Sequence, residues 1–263
     1  MYLIRYGELA LKSKQVRRKF EDILIRNIKS VLEKEGKKTK TTNIYGRFLI
    51  ETNENLDEEL KRIFGIVSFS SCLKTNSNLE EIQKLSLEII ELKKGETFAV
   101  RCNRTGQHPF SSKDIEKEIG SSIVQKFGNK VNLSKPDKTF WIDVRNNDTY
   151  LYTEVIDGPG GLPIGTAGRV SCNIEDFKDI IASWLFMKRG CEVVFSGEYP
   201  KVLERWNSGR TLIFVDDHNF EKEKCLATVK GDVEIKKWKD NSFRPLIGLS
   251  KEKINELTQR IKN

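Results

Sequence analysis

Residues 158–190 read GPGGLPIGTAGRVSCNIEDFKDIIASWLFMKRG, and their reading decides the fold of the last third of the chain. The first half carries the glycines of a loop that brings backbone close to a phosphate, because glycine has no Cβ to keep a ligand away. The second half reads as a helix over 174–189 whose first turn is acidic. A helix N-terminus carries partial positive charge that favours phosphate. Carboxylates in that turn oppose the same use. The stretch is either a nucleotide site or a site of that shape that has been closed.

Working outward, the following residues alternate between β and α patterns. CEVVFSG (191–197) reads as a strand, YPKVLERWNSG (199–209) as a helix and TLIFVDD (211–217) as a strand. CLATVKGDVEIKKW (225–238) adds further strand character, and SKEKINELTQRIKN (250–263) reads as a closing helix. Only about ninety residues are available to this α/β unit, which is small for a doubly wound nucleotide domain.

Towards the N-terminus the pattern changes. YLIRYGE alternates as a strand, and in SKQVRRKFEDILIRNIKSVLEKEG the residues Val16, Phe20, Ile23, Leu24, Asn27, Ile28, Val31 and Leu32 trace a helical stripe that Gly36 ends. KTKTTNIYGRFLIET supplies two strand-like runs meeting near Tyr45-Gly46, NLDEELKRIFG a short helix and IVSFSSCLK a strand. This β-α-β-β-α-β order is that of a ferredoxin-like module. The next unit begins with a helix in NLEEIQKLSLEIIELKKG and continues through strand TFAVRCN to helix SKDIEKEIGSSIVQKFG, which Ser111 or Ser112 can cap. Strands TFWIDVRNN and TYLYTEVID then meet at a turn around Asn146.

The 263 residues allow two or three small domains. No apolar run approaches the roughly 20 residues of a membrane span, and the first residues lack the layout of a signal peptide. A cytoplasmic protein with no membrane partner is expected. The five cysteines are scattered, so no zinc, iron–sulfur or dithiol motif is read and no metal site is assigned. His108 and His218 stand alone, and Asp216-Asp217-His218 reads as a polar turn. The net charge of +8 suits a polyanion partner, since Lys and Arg release counterions condensed on phosphates. Lys12, Lys14, Arg17, Arg18 and Lys19 concentrate that charge at the start of the first long helix, whose amides add to the attraction. The bland alternative is a solvated helix face. Arg47 lies beside the Tyr45-Gly46 turn and is assigned to the same surface.

Three stretches in order resemble the tRNA 4-thiouridine synthase family, also called the thiamine-biosynthesis sulfurtransferases. They are RYGELALKSK (5–14), GGLPIGTAGRV (160–170) and ASWLFMKRGCEV (182–193), and FRPLIGLSKEKINEL (243–257) is similar to a segment further on. The resemblance implies an α+β first part followed by a small α/β, Rossmann-like remnant of an ATP-pyrophosphatase domain. The expected limits are a ferredoxin-like domain over 1–57 with a last strand near 66–74, and an RNA-binding THUMP domain over 58–157. A Gly/Pro linker over 158–169 and the remnant over 170–263 follow. Within the THUMP stretch VRCNRTGQHPFSS, Arg101 and Arg104 suit phosphate or base-edge contacts, and Phe110 either stacks on an unpaired base or packs in the core. Trp141 and Tyr152 are assigned to the core.

Enzymes of that family adenylate a uridine oxygen with ATP and replace it with sulfur, using a phosphate loop of the type SGGxDS. Aligned back from MKRG, that loop falls on Ile174, Glu175, Asp176, Phe177, Lys178 and Asp179, with carboxylates at both glycine positions. Asn173 is the expected N-cap, while Lys178 and Lys188 remain as phosphate contacts or as solvated lysines. The site reads as closed. No catalytic residue and no cofactor are assigned, and the expected partners are the acceptor end of tRNA, a second copy of the chain and a separate tRNA-modifying enzyme. One alternative is an active tRNA sulfurtransferase using ATP and Mg. Another is an interaction module without RNA binding.

Overall fold

The computed structural model describes residues 1–7, 13–44, 46–215, 224–234, 240 and 242–263. The chain divides into two compact units. The first comprises Met1–Arg5, Lys40–Asn53 and Ser68–Asp157; the second comprises Tyr6–Thr39, Glu54–Val67 and Gly158–Asn263.

The elements begin in ferredoxin-like order: β1 (Tyr2–Tyr6), α1 (Lys14–Lys34), β2 (Lys40–Asn43), β3 (Phe48–Glu51), α2 (Asp57–Leu60) and β4 (Ile66–Ser71). Then come β5 (Leu73–Asn76), α3 (Leu79–Ile89), β6 (Phe98–Thr105), α4 (Ser112–Phe127), β7 (Lys138–Arg145), β8 (Asp148–Tyr152) and β9 (Ile156–Asp157). One sheet has the order β2-β3-β1-β4-β9, the other β5-β8-β7-β6. The run 66–74 is not one strand. It breaks at Cys72, whose N–H bonds to the Met1 carbonyl at 3.0 Å, and the chain passes from one sheet to the other. TYLYTEVID divides in the same way, β8 joining the second sheet and β9 pairing with β4.

The parallel pair β6–β7 requires a crossover, supplied by α4. Ser111 caps that helix in a reciprocal box with Asp114, and Gly128, at φ 73°, ends it. One face of the second sheet packs on α3 and α4 through Ile82, Ile115, Ile119, Ile123, Ile142 and Val144. The other face joins Tyr150 and Tyr152 to Leu3, Leu49 and Cys72, with Trp141 half-buried against them.

In the second unit, α1 buries Ile23, Leu24, Asn27, Ile28, Val31 and Leu32, while Val16 in its first turn remains exposed. Gly36 stops it at φ 70°, letting the Lys37 N–H return to the Leu32 carbonyl at 2.8 Å. The remaining elements are β10 (Arg169–Ile174), α5 (Phe177–Lys188), β11 (Glu192–Gly197), β12 (Ile213–Phe214) and α6 (Lys251–Lys262). β10, β11 and β12 form a parallel sheet. The helix expected over 199–209 is only a 3-10 turn, Lys201–Trp206. It is cut short where Ser208 takes φ 53° and Gly209 lies against the Ser30 carbonyl of α1. The core of this unit is centred on Phe64, Trp184 and Trp206, whose rings meet at 5.2–5.5 Å. Among the described residues no helix is long and apolar enough to cross a membrane.

Candidate nucleic-acid interface

The basic residues at the start of α1 fall into two groups. Lys14, Arg18 and Lys19 are exposed and, with Gln15, Asp22 and Arg26, line a shallow surface depression. Arg17 turns inward: its Nε donates to Glu21 at 2.8 Å and its Nη2 to the Tyr6 hydroxyl at 3.3 Å. Tyr6 itself donates to Glu21 at 2.5 Å. Burial, and then the Glu21 hydrogen bond, push the Tyr6 phenol up to about 12. Lys12 lies outside the described residues. The Ser13 N-cap makes no side-chain bond to the helix, and the first turn holds no acid. Its amides and lysines together suit an anion. Arg26 was not singled out in the sequence, although the four-residue spacing Lys14, Arg18, Asp22, Arg26 puts it on the same face.

Arg47 is held in an ion pair. Its Nε lies 3.6 Å from Asp143, which is 1% exposed and also meets Arg145 at 2.6 Å. Burial lowers the Arg47 pKa against the opposing pull of Asp143, with Arg145 and Arg5 adding to the lowering. Asp143 escaped notice because it sits inside the strand-like run TFWIDV. In the loop after β6, Arg104 Nη1 donates to the Gly106 carbonyl at 2.9 Å and to His108 Nδ1, 3.2 Å away. His108 Nε2 lies 2.6 Å from the Asn146 carbonyl. That carbonyl can only accept, which assigns the proton to Nε2 and leaves Nδ1 as the acceptor for Arg104. Phe110 is half-buried against the α3–α4 core and stacks on His108 at 5.2 Å. Arg101 donates to the Leu133 carbonyl. Trp141 and Tyr152 stack side by side, with Arg5 over the Tyr152 ring at 4.5 Å.

The junction from β10 to α5 differs from the expected helix. Residues 169–174 are a buried strand, so Ile174 ends β10, and the helix begins three residues later. Its N-cap is Asp176, not Asn173. The Asp176 carboxylate accepts from the Lys178 and Asp179 N–H groups at 2.7 and 3.4 Å. Asp179 accepts from the Glu175 and Asp176 N–H groups at 3.1 and 3.3 Å, and from Gly231 N–H at 2.7 Å. Asn173 instead donates to Glu175 at 3.0 Å and accepts from Ser196 at 3.0 Å. A Cβ on Gly231 would lie 2.4 Å from the Lys178 backbone, so another segment already presses on the first turn. Phe177 packs against the core, Lys178 lies 3.8 Å from Asp176, and Lys188 sits over the Trp184 ring. In front lies a cleft of about 600 Å³, lined by carboxylates that include Glu175, Asp176 and Asp232, with Lys230 and Arg244 among them. Lys230 and Arg244 hold the nearby Asp240 below the usual carboxylate range.

Two sequence families match the first part of the chain: the ThiI ferredoxin-like domain over residues 1–70 and the THUMP domain over residues 76–154. The chain carries a ThiI ferredoxin-like domain followed by a THUMP domain. A probable tRNA sulfurtransferase of Methanobrevibacter smithii is 36% identical over 223 residues, covering 78% of this chain and 57% of the relative. The tRNA sulfurtransferase of Thermoplasma acidophilum is 37% identical, covering 78% of this chain and 46% of the relative. The chain thus spans about half the length of these curated relatives. Among solved structures, PH1313 from Pyrococcus horikoshii superposes with a TM-score of 0.86 at 28% identity, over 100% of this chain and 99% of that one. A 4-thiouridine synthetase, solved as an RNA complex with bound ATP, superposes with a TM-score of 0.67 at 30% identity. It is covered over 63% of its length and covers 84% of this chain. The THUMP domain contains β6, α4, β7 and β8 with Arg101, Arg104 and Phe110, and the ferredoxin-like domain contains α1 with its open basic face.

Proposed function

We propose that this chain binds the acceptor end of tRNA through its ferredoxin-like and THUMP domains and does not itself adenylate the RNA with ATP. It acts as a tRNA-binding accessory factor for a separate modification enzyme. The contrast between two helix starts carries this reading. At α5, Asp176 and Asp179 take up the amides of Glu175, Asp176, Lys178 and Asp179. An incoming phosphate would have to displace two carboxylates and meet their charge. At α1, no acid stands in the first turn and three cations are exposed around it. The THUMP match and the likeness to a synthetase solved with RNA support tRNA as the polyanion.

Two assays test the two halves of the reading. Binding to tRNA transcripts at several salt concentrations is expected to be tight, to fall with salt and to weaken when the single-stranded 3′ end is removed. Binding indifferent to that end overturns the tRNA half. ATP–pyrophosphate exchange in the presence of tRNA is expected to be absent. Robust exchange would instead establish the chain as an adenylating enzyme, in line with its 36–37% identity to tRNA sulfurtransferases.

A further inference from the structure

A groove of about 640 Å³ runs along the THUMP domain between the outer edge of β6 and one face of α4. Phe98, Val100 and Gly120 lie along it, and Val124, Val131 and Leu133 stand at its sides. These last three are 42, 47 and 61% exposed, a concentration of large aliphatic groups in contact with water. Gly120 sits in the interior of α4, where glycine costs about 1 kcal/mol relative to alanine. Packing within the chain does not require it: a Cβ there would meet nothing within 4 Å among the described residues.

β6 is the edge strand of its sheet. Its Phe98 bonds outward to Lys130 and Asn132 at 3.1 and 2.8 Å, and the Cys102 N–H is taken by Glu116 at 2.8 Å. Strand alternation turns the Val100 N–H and C=O outward between these two points. No bond to them is made among the described residues. With Glu116 engaged at the edge, Lys113 and Lys117 leave the rim cationic. Arg101 holds the Leu133 carbonyl and so fixes the far wall.

We propose that this groove docks an extended segment of a partner protein, with aliphatic side chains at alternate positions and carboxylates at its flanks. The segment adds to the β6 edge at Val100, places one aliphatic side chain over Gly120 and meets Lys113 and Lys117 with its acids. A nucleobase fits less well. Bases bind single-strand readers by stacking on exposed aromatic rings, and the one aromatic residue here, Phe98, is 0% exposed.

The test is selection from a random-peptide library on the intact chain, followed by titration of the enriched peptides. They are expected to carry alternating aliphatic residues with acidic flanks and to protect the Val100 amide from hydrogen exchange. Gly120→Leu, whose Cβ meets nothing within 4 Å among the described residues, is expected to weaken them at least tenfold while leaving the thermal midpoint no lower than in the parent. Leu133→Asp, altering an exposed wall residue, gives an independent second variant with the same expected loss. No enrichment, or enriched peptides that bind both variants as well as the parent, overturns the proposal. So does loss of tRNA affinity in Gly120→Leu with peptide binding unchanged, which would assign the groove to RNA.

Discussion

Arg210 Nη2 donates to the Asn27 side-chain oxygen at 2.7 Å, joining two residues 183 positions apart in the second unit. Asn27 is 2% exposed within the apolar stripe of α1, where an amide would ordinarily be a liability. Both ends of that amide are used, since its Nδ2 donates to the Ile164 carbonyl at 3.1 Å. Arg210 in turn donates to Glu192 on β11 at 2.9 Å. Asn27→Leu leaves Arg210 and the Ile164 carbonyl short of these bonds. It is expected to cost about 1–3 kcal/mol, measured by urea unfolding.

The Phe64–Trp184–Trp206 cluster brings the segment after α2, helix α5 and the 3-10 turn into one core. Phe64→Ala removes the ring common to two of those three pairs. A loss of about 3–5 kcal/mol is expected from urea unfolding. A much smaller loss would show that the cluster is not well packed.

Tyr6 gives the chain an alkaline response. Its phenol has an ordinary value of 10.0 and is raised to about 12 in the folded state. The folded form therefore holds this proton more tightly than the unfolded form. The associated stability is complete below pH 10.0 and is lost as pH rises through about 12. Unfolding followed across this range is expected to show a shallower pH dependence in Tyr6→Phe than in the parent. Equal slopes would assign the alkaline response elsewhere.

Charge removal should separate RNA-binding cations from structural arginines. Replacing Lys14 and Arg18 together by Gln is expected to reduce tRNA affinity and to flatten its salt dependence by about 0.7–0.9 for each phosphate no longer neutralised. Arg47→Met, which breaks the pair with Asp143, is expected to lower stability and to leave the salt slope unchanged. A reduced slope in Arg47→Met would return that residue to the interface.

Asp176→Ala removes the cap of α5. A destabilisation of about 0.5–2 kcal/mol is expected, with no gain of ATP binding by calorimetry, because Asp179 and the Gly231 segment still occupy the helix start. Appearance of ATP binding would show that a single carboxylate kept the site shut.

The ferredoxin-like order and the α4 cap were legible in the sequence because local signals agreed there. The α1 stripe has helical period and ends at Gly36, and Ser111 stands one turn before an apolar run. β10 was not legible. VSCNI is short, mixes polar with apolar residues and is buried in a parallel sheet, so it shows no alternation, and the sequence alone assigns it no strand. The change of sheet at Cys72 was hidden because no turn residue marks it. The ion pair of Arg47 was not legible because its proximity to a turn said nothing about Asp143, ninety-six residues later in an apolar strand. Long-range pairing of charges leaves no local pattern.

The carboxylates of Asp176 and Asp179, which accept two and three N–H groups, also bear on how such a chain can change over time. Each now serves helix stability, so substituting either alone loses a cap before any ligand gains a place. Freeing the helix start for a ligand would require several replacements at once, together with a shift of the segment carrying Gly231. The same bonds that hold α5 in place act as an evolutionary ratchet, favouring change in the surrounding surface over change at the helix start.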